Sequence, residues 1–331
     1  MPLDLPGSCP WGPARCLLLW GPAWCLLFCG LGICLSLIGC LNRTPGSVKG
    51  KSAGEMKPKP RVLVLRAPGT NCDVETAFAF QLAGAIAERV HVNRLLENPP
   101  LLDSYQILCI PGGFSYGDDI AAGRILATQL RLHLAEVLHD FSNKDRLILG
   151  ICNGFQVLLR AELLFPPEPE LGIPATLTWN DSGRFEDRWV YLRVTGRECV
   201  FLRNIQTLYL PIAHAEGKFV ARDEQTLKKL EASGQLVLRY TLPPGRPSEE
   251  MVQSRNGLDQ DLAAPIPFPH NPNGSQANVA GVCDITGRVF GLMPHPERHI
   301  DPTHHPRWTR GEAGPEGDGL QIFRNAVEYF R

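Results

Sequence analysis

The chain has 331 residues, 44% of them hydrophobic and 20% charged, enough to bury the core of one large domain or two smaller ones. Thirty-three basic against thirty-four acidic residues leave a formal charge of −1, so bulk electrostatics gives no reason to expect a nucleic-acid partner. Any phosphate-bearing substrate must be recognised locally.

Residues 1–55 differ from the rest. Six of the eleven cysteines, Cys9, Cys16, Cys25, Cys29, Cys34 and Cys40, fall there, and no charge interrupts Cys16 to Leu41 between Arg15 and Arg43. That run is long enough to span a bilayer as a helix, and "LIGC" at Leu37–Cys40 also matches the cleavage site of an exported lipoprotein. A third reading is a start site placed too early, since Met56 is the only methionine between Met1 and Met251 and lies just before "RVLVLR". The expectation is a working domain over 56–331 in the cytoplasm, with a membrane partner only if the stretch 16–41 is a real anchor. The later cysteines, Cys72, Cys109, Cys152, Cys199 and Cys283, are scattered without a CxxC pair, which suits a reducing compartment.

"RVLVLR" (61–66) reads as a strand, "APGTNCD" as a turn, and "VETAFAFQLAGA" as a helix with Asp73 available as its N-cap. The order recurs through "ERVHVNRL", "YQILCIPGG", an amphipathic segment from Ala121 to Phe141, and "RLILGICNG" feeding a helix through Leu163. Strands alternating with helices predict a parallel sheet covered on both faces. After Pro166 come the shorter strand-like pieces "WVYLRV", "LYLPIAH" and "LVLRY", and "DLAAPIPFPHNPNGS" reads as a surface loop. A last strand, "RVFGLMPH", and a helix, "GLQIFRNAVEYF", complete one α/β domain with an antiparallel extension.

In "GICNGFQ" a cysteine sits between glycines where a strand runs into a helix, the arrangement of a nucleophile elbow. The helix N-terminus favours thiolate over thiol. From these seven residues alone, a nucleophile and a small buried core cysteine stand equal. In "GLMPHPERH", His295 and Glu297 lie two apart in an extended, proline-bounded segment, so their side chains can share a side. Glu297 would then fix the tautomer of His295, leaving its other nitrogen to exchange a proton with Cys152. Backbone N–H groups at Gly113, in "IPGGFSYGDD", and at Asn153 are candidate donors to an oxyanion. His299, His304 and His305 lack a carboxylate or cysteine at ligand spacing, so a solvated loop is expected there and no metal. His214 in "AHAEG" is read as structural, and the glycosylation-type "NGS" at Asn273 as a chance match.

"PGG", "GICNGFQ" and "PHPE", in that order, resemble the class I (triad) glutamine amidotransferases. More narrowly, "PGTNCDVET", "GGFSYGDD", "NDSGRFEDRW", "PIAHAEGKF", "NPNGS" and "GLMPHPERH" are similar to the glutaminase subunits of phosphoribosylformylglycinamidine synthase. The resemblance runs from about Arg61 to the C-terminus. It implies a flavodoxin-like fold, a mostly parallel doubly wound sheet with helices on both faces plus a small antiparallel extension. It implies a Cys152–His295–Glu297 triad that hydrolyses glutamine through a thioester. Gln156 would help hold the glutamine, and Asn180, Arg184 and Phe185, in the stretch 180–186, would meet its amino-acid end. The partners implied are glutamine, a synthase subunit and a small third subunit. The chain itself would carry no cofactor, with ATP and magnesium on the synthase, and it contains neither GxxxxGK[ST] nor GxGxxG. Two other classes remain: an amidotransferase subunit of another pathway, and a membrane-tethered binding protein without turnover. Two departures, "GDDIAAG" and a long segment from Pro243 to Pro272, fall on partner contacts rather than on catalysis.

Overall fold

Val62 to Leu65 are all buried, as a strand covered on both faces requires, and they form the middle of β1 (Arg61–Arg66). A computed structural model of the chain describes residues 58–196, 198–244 and 264–331. The leader, its six cysteines and the start near Met56 lie outside the described residues, as does most of the long segment after Pro243.

β1 is followed by α1 (Asp73–Leu82), β2 (Ile86–His91), the short α2 (Val92–Glu97) and β3 (Ile107–Ile110). Next come α3 (Arg124–His133), α4 (Ala135–Asn143), β4 (Leu147–Ile151) and α5 (Asn153–Arg160). The second half holds β5 (Ala175–Thr178), β6 (Glu186–Val194), β7 (Thr207–His214), β8 (Lys218–Ala221), α6 (Glu224–Ala232) and β9 (Leu238–Thr241). β10 (Val279–Cys283), β11 (Val289–Leu292) and α7 (Leu320–Glu328) finish the chain.

One sheet runs β2-β1-β3-β4-β11-β10-β9-β6-β7. Its pairs from β2 to β11 are parallel, and those from β11 to β7 antiparallel. The antiparallel extension therefore continues the main sheet, while β5 and β8 form a separate pair. The winding reverses between β1 and β3. Right-handed crossovers then place α1 on one face and α3 to α5 on the other, in keeping with α1 packing on β1, β2 and α7, and α5 on β3, β4, β11 and α3. The carboxyl ends of β1, β3, β4 and β11 share one edge, where open α/β sheets bind their ligands.

Local differences from the sequence-based expectation have physical causes. The amphipathic stretch after Ala121 breaks at Leu134 (φ −128°, ψ 8°), giving α3 and α4 instead of one helix. Asp73 is not a cap but the first helical residue, because its carboxylate is claimed by Arg66 at 2.8 Å and Arg89 at 3.2 Å; Cys72 takes the N-cap position. The end of the proline-rich stretch is no surface loop: Asn271, Asn273 and Ser275 are buried. Asn273 Nδ2 donates to Gly217 O at 2.8 Å, and Phe219 N donates to Ser275 Oγ at 2.9 Å. Asn273 is thus closed to any modifying enzyme.

Candidate active site

β4 ends at Ile151, and the chain turns at Cys152 with φ 50° and ψ −105° directly into α5. Such a conformation costs a non-glycine residue on the order of 1–3 kcal/mol, so its surroundings must enforce it. The flanking glycines allow that. A Cβ on Gly154 would lie 1.8 Å from the Ile110 carbonyl oxygen, and one on Gly150 2.7 Å from the Gly154 oxygen. Cys152 is buried; its backbone N–H donates to Leu292 O at 2.8 Å, and its Sγ lies 3.7 Å from Ala213 O. Cys152 occupies the N-cap position of α5, so the first turn of that helix begins directly at the cysteine.

β11, beside β4, leads through Met293 and Pro294 to His295, whose backbone is extended (φ −105°, ψ 90°). The expected non-helical segment includes a short 3-10 turn, Pro296–Arg298, with proline at its first position. This turn brings Glu297 Oε1 to 2.6 Å from His295 Nδ1, and both side chains are almost fully buried. Nδ1 is thereby committed, and Nε2 is the nitrogen left for proton exchange; among the described residues it has no hydrogen-bond partner. Burial pushes the imidazole pKa down, but the charges of Glu297 and Cys152 outweigh it and hold the ring well above the usual histidine range. That balance supports an imidazolium at His295.

Gly113 follows β3 with φ 133°, a conformation that suits glycine, and a Cβ there would stand 2.7 Å from Asn71 N. Phe114 N donates to Gly69 O at 3.0 Å, while the Gly113 N–H has no acceptor among the described residues. The side chain of Asn153 ties this loop to the elbow: Oδ1 accepts from Ser115 N at 3.2 Å, and Nδ2 donates to Asp118 Oδ1 and to Gln156 Oε1, both at 2.9 Å. The two proposed oxyanion donors thus belong to segments joined by one amide. Tyr116, Asp118 and Ile120 all have positive φ (55°, 53° and 73°), so the loop holds several unfavourable conformations at once.

Gln156 Nε2 donates to Glu216 O at 2.6 Å, linking α5 to the loop after β7. Asn180 is buried; its Nδ2 donates to Arg184 O at 2.9 Å and His214 O at 2.8 Å, and its Oδ1 accepts from Gly217 N at 3.1 Å. Asn180 therefore shapes the backbone of the 180–186 stretch. Arg184 is exposed, and the half-exposed Phe185 ring stacks on Phe114 with centroids 6.4 Å apart, beside the Gly113 loop.

Residues 59–330 match the family model described as CobB/CobQ-like glutamine amidotransferase domain. The chain belongs to that family. This amidotransferase is 46% identical over 274 residues to the phosphoribosylformylglycinamidine synthase subunit PurQ of Dehalococcoides mccartyi, covering 82% of this chain and 98% of that one. To PurQ of Methanococcus maripaludis it is 41% identical over 286 residues, covering 83% and 99%. A chain in the structure of PurLQS from Thermotoga maritima is similar with a TM-score of 0.59 and 29% identity, over 83% of this chain and all of that one.

The amidotransferase site also contains a second buried histidine, His214, at the end of β7. Because Asn180 Nδ2 is spent on two carbonyls, its Oδ1 faces His214 Nδ1 at 3.2 Å, so Nδ1 carries the proton. Burial, with His295 adding to it, lowers the pKa of His214 from 6.5 to about 3. In the folded protein His214 is neutral, as suits a structural role, while in the unfolded chain it takes up a proton below about pH 6.5. Folding is therefore penalised on acidification, by about 1.5 kcal/mol between pH 6.5 and pH 5. His295 works in the opposite sense: its contribution is complete below the unfolded value and is lost as pH rises through its raised pKa. Denaturant unfolding at the two pH values should show a His214→Gln variant gaining on the parent protein by about that amount as pH falls. An unchanged gap would rule out the buried neutral imidazole.

His299 departs from the expected solvated loop. It is buried, donates through Nδ1 to Tyr209 O at 2.8 Å, and meets the Trp189 ring edge-on with centroids 5.0 Å apart. The aromatic face of β6 and β7 needs a cover, and this segment supplies it; His304 is exposed and His305 half-buried against Tyr209. Among the described residues no helix is long and apolar enough to cross a membrane.

Proposed function

We propose that this chain is the glutamine-hydrolysing subunit of a phosphoribosylformylglycinamidine synthase, the activity its PurQ relatives are named for. The observation that carries the proposal is the strained Cys152 elbow set beside a buried His295–Glu297 pair.

The Cys152 thiolate attacks the side-chain carbonyl carbon of glutamine, and the oxygen takes up the negative charge near the Gly113 and Asn153 N–H groups. His295 Nε2 gives its proton to the departing nitrogen. The C–N bond breaks, ammonia leaves, and a γ-glutamyl thioester remains on Cys152. His295, now neutral, takes a proton from a water that attacks the thioester, releasing glutamate and restoring the thiolate and imidazolium. Glu297 keeps Nδ1 protonated and the ring oriented throughout. Gln156 and the 180–186 stretch, with Asn180, Arg184 and Phe185, bound the space for the amino-acid end.

The ammonia passes to a separate synthase subunit, which uses ATP and magnesium to amidate formylglycinamide ribonucleotide; the name PurLQS supports such an assembly, with a small third subunit. Residues 56–331 are the amidotransferase unit in this reading, working in the cytoplasm where those substrates are. The test is to combine the full chain with the synthase subunits, ATP, magnesium, glutamine and formylglycinamide ribonucleotide. Glutamate and amidated product should appear in equal amounts. Absence of glutamate would overturn the proposal, and glutamate release only with a different synthase would reassign the pathway.

A further inference from the structure

The turn carrying the proposed base rests on a thiol that the chemistry above does not use. Cys72, at the N-terminal end of α1, is 1% exposed. Its Sγ donates to Asn71 Oδ1 at 3.2 Å and accepts from the Arg298 guanidinium at 3.1 Å, while its backbone N–H donates to Gly112 O at 3.3 Å. Arg298 directly follows Glu297, and its Nε lies 3.5 Å from Glu75 in the first turn of α1. Gly112 lies in the same layer: a Cβ there would stand 2.7 Å from His295 Cε1 and 3.2 Å from Cys72 Sγ. Cys72 thus joins the loop after β1 to the glycine pair after β3 through its backbone N–H and to the turn after β11 through its sulfur.

Ligand atoms of Cys72, His295 and Glu297 lie within 4.8 Å of one another, a donor set that a thiophilic cation accepts. The guanidinium already bonded to the sulfur opposes a second cation there. Burial also pushes the Cys72 thiol pKa up, against the pull of His295 and Arg298, so the group is a neutral thiol.

We infer that Cys72 is a positioning residue for glutamine hydrolysis: through Arg298 it fixes the turn bearing His295 and Glu297, and through Gly112 it fixes the loop bearing the Gly113 N–H. The inference rests on Cys152 being the nucleophile. Base and oxyanion donor are then registered against each other by one residue, its sulfur holding the turn and its backbone N–H the glycine pair. Alanine removes both thiol contacts; the Arg298 side chain, 38% exposed, turns to water, so the fold tolerates the loss while the turn drifts. A misplacement of about 1 Å in a reacting group can lower a rate about 100-fold. Serine keeps one donor and one acceptor at the position.

Glutamate release by the complete assembly is measured for Cys72→Ala, Cys72→Ser and Cys152→Ala. Cys72→Ala should lose about 10- to 100-fold in kcat with KM within about twofold, and Cys72→Ser should recover to within about threefold of the parent. Cys72→Ala with kcat within about twofold of the parent overturns the inference, as does equal impairment of the alanine and serine variants. Activity in Cys152→Ala would instead overturn the nucleophile itself, so the two failures are distinguishable.

Discussion

Replacing Cys152 with alanine should reduce glutamate release by about 10,000-fold or more, because the other thiol nearby, Cys72, is neutral and bonded to Asn71 and Arg298. The fold should survive. Alanine keeps the same Cβ at the left-handed turn, so the backbone strain is unchanged, and the void left by one sulfur atom in a buried site costs about 1 kcal/mol. The oxyanion donors and the 180–186 stretch stay in place, so glutamine should still bind. With the synthase present, added ammonia should support amidation by the alanine variant at a rate close to the parent's, while glutamine should not. A well-folded alanine variant that still forms glutamate would rule out Cys152 as the nucleophile.

Glu297→Gln should have the next largest effect, with kcat lower by about 1,000- to 10,000-fold. The mutant amide is nearly isosteric and can still bond to Nδ1, but it carries no charge. Burial pushes the His295 pKa down, and in the parent the Glu297 carboxylate is the main group opposing it, with Cys152 and Cys72 assisting. Without that carboxylate the imidazolium loses its principal support. Hydrolysis requires His295 protonated to release ammonia, so activity falls as pH rises through its pKa. The alkaline limb of the pH–kcat profile should therefore move toward acid by at least about one unit in Glu297→Gln. An unmoved limb with reduced kcat would mean that Glu297 orients the ring without stabilising its charge.

The parallel half of the sheet was legible because each strand there is a local run of apolar residues closed by a turn, as in "RVLVLR" and "RLILG". The Cys152 elbow and the His295–Glu297 pair were legible for the same reason: each is written in fewer than ten consecutive residues. What escaped depends on distant chain. Cys72 and Arg298 are 226 residues apart, and nothing within "TNCDV" marks the sulfur as a bridge. β10, buried along its length, was hidden by the polar segment before it, since Asn271, Asn273 and Ser275 have the composition of an exposed turn. Their polarity is matched by buried backbone groups of Gly217 and Phe219, which no local pattern announces. α6 did carry a local signal, Asp223 capping Thr226 N at 2.7 Å, obscured by the short strands around it.

β4 and β11 are adjacent parallel strands in register, with Ile151 opposite Leu292. The nucleophile leaves the end of one and the base leaves the end of the other, so a hydrogen-bonded ladder with about 4.8 Å between strands sets the gauge between them. Thermal drift or the approach of a partner protein can alter that gauge only by shearing the sheet. The segment from Gly113 to Gly123 lies outside that ladder: it is held by backbone bonds from Phe114 to Gly69 and from Tyr116 to Pro68, by the amide of Asn153 and by the carboxylate of Asp118. The spacing between nucleophile and base is thus a property of the sheet, and the place of the Gly113 N–H a property of the loops packed at its edge.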